Sequence, residues 1–181
     1  MIKKIVLLFA GCFMAAGLVA QQRYSDQWVT GMSGAYMPST GYNASVFLEK
    51  YIRDSFSSIK LEALYMNQQI ATDAANFRID CGTYGGALSY NYSLEKLVPS
   101  PFYVNLSIGG IGAYQKVDYD DTMMEVNAEN KFVYGFTTAI QFEVIAYKSL
   151  SFFIEPKAYY LMNSDIRKMN GSIGAGLKIY L

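Results

Sequence analysis

Histidine does not occur anywhere in the 181 residues of this chain. The side chain that most often carries protons near neutral pH, and that most often ligates zinc, is therefore missing. This excludes the histidine-dependent membrane proteases, lipases and acyltransferases, together with His-built metal centres. Cysteine is nearly as scarce: Cys12 lies in the apolar N-terminal run, and Cys81 stands alone after it, so no disulfide is expected within the mature chain. Cys81 reads as a small residue buried in a sheet rather than as a reactive thiol. Net charge is missing too, since 15 Lys plus Arg balance 15 Asp plus Glu and offer no basic groove for nucleic acid.

What is abundant is aromatic and small. Sixteen Tyr, eleven Phe and fifteen Gly describe a sheet protein with close backbone approaches, not a helical bundle. The N-terminus differs from the rest. Lys3 and Lys4 precede an apolar run from Ile5 that ends near Ala15-Ala16-Gly17-Leu18-Val19-Ala20, the order of a secretory signal peptide cut after Ala20. The run is short for a retained membrane helix. Phe9-Ala10-Gly11-Cys12 faintly resembles a lipoprotein box, but cleavage there leaves an apolar N-terminus from Phe13 to Ala20 without a purpose. The expected organisation is a signal peptide over residues 1–20 and one domain over residues 21–181.

Within that domain the apolar period is two. The last stretch is the plainest: Ile173, Ala175, Leu177, Ile179 and Leu181 alternate with Ser172, Gly174, Gly176, Lys178 and Tyr180, which predicts a strand with two unlike faces. Phe132, Tyr134, Phe136, Thr138, Ile140, Phe142, Val144 and Ala146 give a longer one. Further strands are expected near Trp28–Tyr36, Tyr42–Tyr51, Ile59–Met66, Phe77–Tyr92, from Phe102 through Gly109, and from Leu150 through Tyr159. Turn chemistry such as Met37-Pro38-Ser39-Thr40-Gly41 and Arg53-Asp54-Ser55 separates them. Asn67–Ala75, Gln115–Asn130 and Asn163–Lys168 read as polar connections. Eight strands leave no segment for a helix of ordinary length.

Amphipathic strands also build soluble sandwiches, so the period does not choose the solvent. Three features choose lipid. Several strands exceed the usual five or six residues and reach the roughly 9–11 needed to cross a bilayer at a tilt. The apolar face is the more uniform one, with Tyr90, Tyr92, Phe102, Tyr114, Phe132 and Tyr134 near strand ends, where membrane interfaces place aromatics. Connections alternate short and long, although the first outer loop is short and the connection near Ser93 somewhat long. The predicted fold is all-β: an eight-stranded antiparallel up-and-down β-barrel of outer-membrane type.

The interior of such a barrel is just wide enough for side chains to fill. The inward set includes Glu49, Lys60, Glu62, Glu143, Glu155, Lys157 and Lys178, four acids and three bases. Unpaired buried charge is costly, so a near-balanced set predicts a salt-bridged plug with low or no conductance. A proton or ion relay along the carboxylates is the rival role. Asp118-Tyr119-Asp120-Asp121 with Glu125 lacks the spacing of a calcium loop and reads as a solvated acidic loop. Gly109-Gly110-Ile111-Gly112 and the glycines from Gly82 to Gly86 are not followed by a helical pattern. They make room for curvature or bulky neighbours rather than cradle phosphate. No catalytic, metal or cofactor-binding residues are expected.

Gln22-Arg23-Tyr24 followed by Gly31-Met32, then Lys131-Phe132-Val133-Tyr134-Gly135, Asp165-Ile166 with Lys168, and Gly174-Ala175-Gly176-Leu177-Lys178 stand in an order and spacing that resemble the conjugative transposon protein TraO family of Bacteroidetes-type mobile elements. The resemblance covers most of the mature chain and departs most at Asn67–Phe77 and Asp118–Asn130. It implies a non-enzymatic component of a conjugation apparatus, exported through the Sec pathway and seated in the outer membrane. Its partners would be outer-membrane lipid and other envelope-spanning conjugation proteins, with neither direct nucleic-acid binding nor a small-molecule substrate. A general outer-membrane barrel of the OmpX-like kind, with an adhesion, envelope-stability or surface-exclusion role, is the alternative. Gly176, Ile179 and Leu181 also resemble the C-terminal signal read by outer-membrane assembly machinery, apart from Leu181, where an aromatic residue is usual.

Overall fold

The computed structural model describes residues 23, 25–38, 41–52, 56–71, 78–94, 101–118, 130–147, 149–164 and 167–181. The stretch read as a signal peptide and the acidic connection from Tyr119 to Glu129 lie outside them. Eight strands follow in order: β1 (Trp28–Met37), β2 (Gly41–Ile52), β3 (Ser57–Ala71), β4 (Arg78–Ser93), β5 (Phe102–Asp118), β6 (Lys131–Tyr147), β7 (Leu150–Met162) and β8 (Met169–Tyr180). Each pairs antiparallel with the next, and β8 returns to β1, with Tyr180 opposite Val29 and Ile173 opposite Tyr36. Closure leaves the sheet without an edge.

The two faces divide as the alternation requires. Outward positions carry Met32, Val46, Leu61, Leu88, Ile108, Phe136, Ile140, Ile154 and Leu177, with Ile108 66% exposed. Aromatic side chains flank this band at both ends. Trp28, Tyr90, Tyr92, Phe102 and Tyr147 lie toward the end where the termini meet, and Tyr36, Tyr42, Tyr84, Tyr114, Phe132 and Tyr134 toward the other. Tyr42, Tyr65 and Tyr84 form a continuous outer row, with ring centroids 6.1 and 4.8 Å apart. Between the two aromatic levels, no outward position of the described strands is charged. An apolar exterior between aromatic girdles on a closed barrel is the surface that lipid solvates well and water solvates poorly.

Two strands run further than the apolar period suggests. β3 continues from Met66 to Ala71, and β5 passes Gln115 to reach Asp118. The reason is that Gln68 and Gln115 are buried on the inner face, while the outward positions beside them, Asn67 and Lys116, are also polar. Once both faces turn polar the periodicity vanishes, yet the ladder goes on, with Gln68 opposite Cys81 and Val117 opposite Cys81 on the other side. Consequently β3 to β6, at 15 to 17 residues, stand taller than β1, β2, β7 and β8, at 10 to 13.

The interior is packed in layers. Val29, Tyr51, Tyr103, Ile145 and Tyr180 fill the end near the termini. Met37, Leu64, Met66, Ala87, Ile111, Ala113, Val133, Tyr159 and Leu161 fill the opposite half. Cys81 is fully buried. Two inward glycines explain how rings fit in so narrow a space. Gly31 faces Phe47 and Gly176 faces Phe153 across their ladders, and a Cβ at either glycine would collide with the opposing ring. The two rings meet edge-on at 5.9 Å in the middle of the lumen, where the charged layer lies.

Candidate functional site

Glu49, Lys60, Glu62, Glu143, Glu155, Lys157 and Lys178 all occupy inward positions, and all are buried. Their strand positions bring them into two groups. On the side of the termini, Lys178 Nζ on β8 lies 2.9 Å from Glu49 Oε2 on β2 and 3.0 Å from Glu143 Oε2 on β6. Deeper in the barrel, Lys157 Nζ on β7 lies 2.6 Å from Glu62 Oε2 on β3 and 3.8 Å from Glu155 Oε1, while Lys60 Nζ reaches Glu155 Oε2 at 3.3 Å. Each lysine is thus held between strands on opposite sides of the barrel.

Polar neighbours complete the carboxylates. Asn91 Nδ2 donates to Glu49 Oε1 at 2.9 Å, and Ser58 donates to the same oxygen. Ser151 donates to Glu143 Oε1 at 2.8 Å, joined there by the Tyr180 hydroxyl. Gln141 links the two groups: its Oε1 accepts from Asn105 at 3.2 Å and its Nε2 donates to Glu155 Oε2 at 2.8 Å. The ammonium groups also lie near ring faces, Lys60 over Phe47 at 5.3 Å, Lys157 over Tyr159 at 5.2 Å and Lys178 over Phe153 at 5.8 Å.

One participant escaped the reading of the sequence. Arg23 precedes β1, outside every strand expected from the sequence, yet its side chain enters the barrel and is buried. The chain turns into the mouth through Ser25 and Asp26, the latter in the left-handed region at a φ of 62°, which aspartate tolerates. Arg23 Nη2 donates to Glu143 Oε2 at 2.7 Å, and Nη1 donates to Ser93 Oγ and Asn105 Oδ1, each at 3.0 Å. Arg23 therefore supplies the fourth base. The group near the termini becomes Arg23, Lys178, Glu49 and Glu143, and the deeper one Lys60, Lys157, Glu62 and Glu155, two of each sign in both. The surplus of one acid among the inward residues was the available signal that a cation had to come from elsewhere.

Chemically, the arrangement holds charge in place. The carboxylates are spent on cations and on amide or hydroxyl donors, and rings and aliphatic side chains close the lumen above and below. Among the described residues no group of three His, Cys, Asp or Glu is arranged to hold a metal ion.

The fold has known relatives in shape. The N-terminal β-barrel domain of Pseudomonas aeruginosa OprF superposes with a TM-score of 0.58 at 9% identity, covering 87% of this chain and 98% of that one. Neisserial surface protein A gives a TM-score of 0.59 at 12% identity, over 86% and 97%. Ail, the attachment invasion locus protein of Yersinia pestis, crystallised with a heparin analogue, gives 0.52 at 6% identity, also over 86% and 97%. At these identities the likeness concerns the fold, a closed eight-stranded barrel of the outer-membrane kind. No curated protein matches the sequence. The family model described as conjugative transposon protein TraO matches residues 21–181, the whole barrel and the strap that carries Arg23, and the chain belongs to that family.

Proposed function

We propose that this protein is a non-enzymatic outer-membrane component of a conjugative transposon's transfer apparatus, with a structural or docking role. The match of the family model over residues 21–181 carries the reading. The apolar exterior between aromatic girdles supports seating in the outer membrane, with residues 1–20 removed as a Sec signal peptide on the way. With the termini and the connections at 53–56, 94–101 and 148–149 on the periplasmic side, the taller wall of β3 to β6 faces outward. A lumen filled by its own side chains leaves the rims and the outer wall as the working surfaces, which favours contact with other envelope proteins over passage of a substrate. The balanced charge supports the same choice over contact with DNA.

An in-frame deletion of the gene in a donor strain is expected to lower transfer frequency by orders of magnitude, with recovery from a plasmid copy. Undiminished transfer from the deleted donor counts decisively against the conjugation role and leaves the general envelope-barrel reading in its place. Single-channel recording of the purified protein in planar bilayers is a separate check, expected to give no steady current of porin size. A persistent open level would show that the charged layer does not close the lumen.

A further inference from the structure

The surroundings of Arg23 are more specific than neutralising one carboxylate requires. All three guanidinium nitrogens are met: Nε donates to the Tyr180 hydroxyl at 3.3 Å, Nη1 to Ser93 and Asn105, and Nη2 to Glu143. The ring of Tyr103 lies 3.9 Å from the guanidinium carbon and that of Tyr51 at 5.3 Å. A ring beneath the guanidinium carbon with acceptors around the rim is a geometry that guanidinium fits. A lysine ammonium, compact and limited to three donors, does not.

The cage is made by the barrel wall alone. Tyr51 comes from β2, Ser93 from β4, Tyr103 and Asn105 from β5, Glu143 from β6 and Tyr180 from β8, five strands whose positions the ladders already fix. By contrast, the turn that joins Arg23 to β1 faces solvent. Ser25 and Asp26 are exposed, and the ion pair from Asp26 to Lys50 is 3.8 Å long and solvent-facing, a kind worth little. The Gln27 carbonyl accepts from Tyr51 N at 3.0 Å, but that bond belongs to the start of the β1–β2 ladder. Receptor and ligand are thus separate parts of one chain, joined by a short exposed turn.

We propose that the mouth of the barrel beside the termini is an arginine receptor: a prebuilt guanidinium cage that Arg23 fills in cis and that takes an arginine side chain from a protein partner when the strap withdraws. The inference rests on the geometry of the lumen and holds whichever machine the barrel serves. Its consequence for docking is that a partner segment bearing arginine competes with the strap, whose short tether gives Arg23 an effective concentration in the millimolar range.

The test uses the full mature chain refolded in detergent micelles, as wild type and as R23A, followed by thermal loss of the compact form on gels. R23A is expected to melt lower by about 10 °C, the shift for a buried pair broken on one side in a domain of this size. Methylguanidinium at about 20 mM, above the effective concentration of a short tether, is expected to return at least half of that shift. Methylammonium at the same concentration should return none, and neither should raise the melting temperature of wild type. A peptide of residues 21–27 is expected to act on R23A like methylguanidinium at lower concentration, and the same peptide with lysine in place of arginine to be inert. Equal rescue by the ammonium and lysine probes, or no rescue by any, overturns the proposal. If R23A refolds only in the presence of methylguanidinium, the proposal is supported. If it refolds in neither salt, the cage is not a separable receptor and the proposal fails.

Discussion

Replacing Glu143 by alanine is expected to cost more stability than truncating any other side chain of the lumen. Glu143 receives Arg23 at 2.7 Å and Lys178 at 3.0 Å on one oxygen, and Ser151 and Tyr180 on the other, while Asn105 Nδ2 approaches at 3.3 Å. It is 2% exposed, so water cannot take over these partners once the carboxylate is gone. Removing one member of a buried pair typically costs about 3–5 kcal/mol, because the remaining charge stays behind uncompensated. Here one carboxylate serves two cations. Lys178 retains Glu49 at 2.9 Å, whereas no other carboxylate is shown in an ion pair with Arg23 among the described residues. The expected loss therefore lies at or above the upper end of that range. Glu62→Ala provides the comparison: Lys157 keeps Glu155 at 3.8 Å, so the loss should be smaller. Unfolding in urea, followed by gel mobility of the compact form, measures both. Restoring balance provides a further check, since E143A combined with R23M removes a charge of each sign, leaves Lys178 paired with Glu49, and should recover part of the loss. A Glu143→Ala protein within about 1 kcal/mol of wild type, less than one broken buried pair, would mean that the charged layer is well hydrated and does not plug the barrel.

The parts of the barrel legible in the sequence were those where solvent differs on the two sides of a strand. From Phe132 to Ala146 an apolar exterior meets a mixed interior, and the period of two gives strand, face and extent together. It fails where the difference disappears, as at Asn67 with Gln68 and at Gln115 with Lys116. There only the hydrogen-bond ladder marks a strand, and a ladder has no signature in residue type. The charged layer was legible for the same reason as the strands, because alternation assigns Glu49, Lys60 and the rest to one face. Which acid meets which base was not, since Lys157 and Glu62 lie on strands far apart in the chain and meet only across the closed lumen. Arg23 was hidden differently. It belongs to no strand, and its direction is set by a turn at Asp26 that polar residues outside any periodic pattern do not announce.

Deleting Ile179, Tyr180 and Leu181 is expected to abolish the membrane-assembled form, and the structure separates two reasons for it. The first is geometric. Ile179 pairs with Thr30 on one side and Leu150 on the other, Tyr180 N donates to Ser149 O at 2.7 Å, and Leu181 N donates to Trp28 O at 2.9 Å. Without these residues the seam between β8 and both its neighbours opens at the end of the barrel, leaving backbone groups unpaired beside an apolar exterior, where lipid offers them no partner. The lumen loses Tyr180 as well, which bridges Arg23 and Glu143 and stacks on Tyr51 at 6.3 Å. The second reason is recognition, because the deletion also removes two of the hydrophobic positions that resemble an assembly signal. Refolding without any assembly machinery distinguishes them. If geometry dominates, the truncated chain fails to reach the compact, heat-modifiable form in detergent as it does in cells. If only recognition is lost, it folds in detergent and fails in cells. Tyr180→Phe, which keeps the strand pairing and the ring but loses the hydroxyl, is expected to assemble in both settings at a cost of about 1–3 kcal/mol for the buried acceptor left short of a donor. A truncated chain that inserts normally in cells would remove the closing role from the last strand altogether, because the remaining ten residues of β8, Met169 to Lys178, would then suffice to seal the barrel.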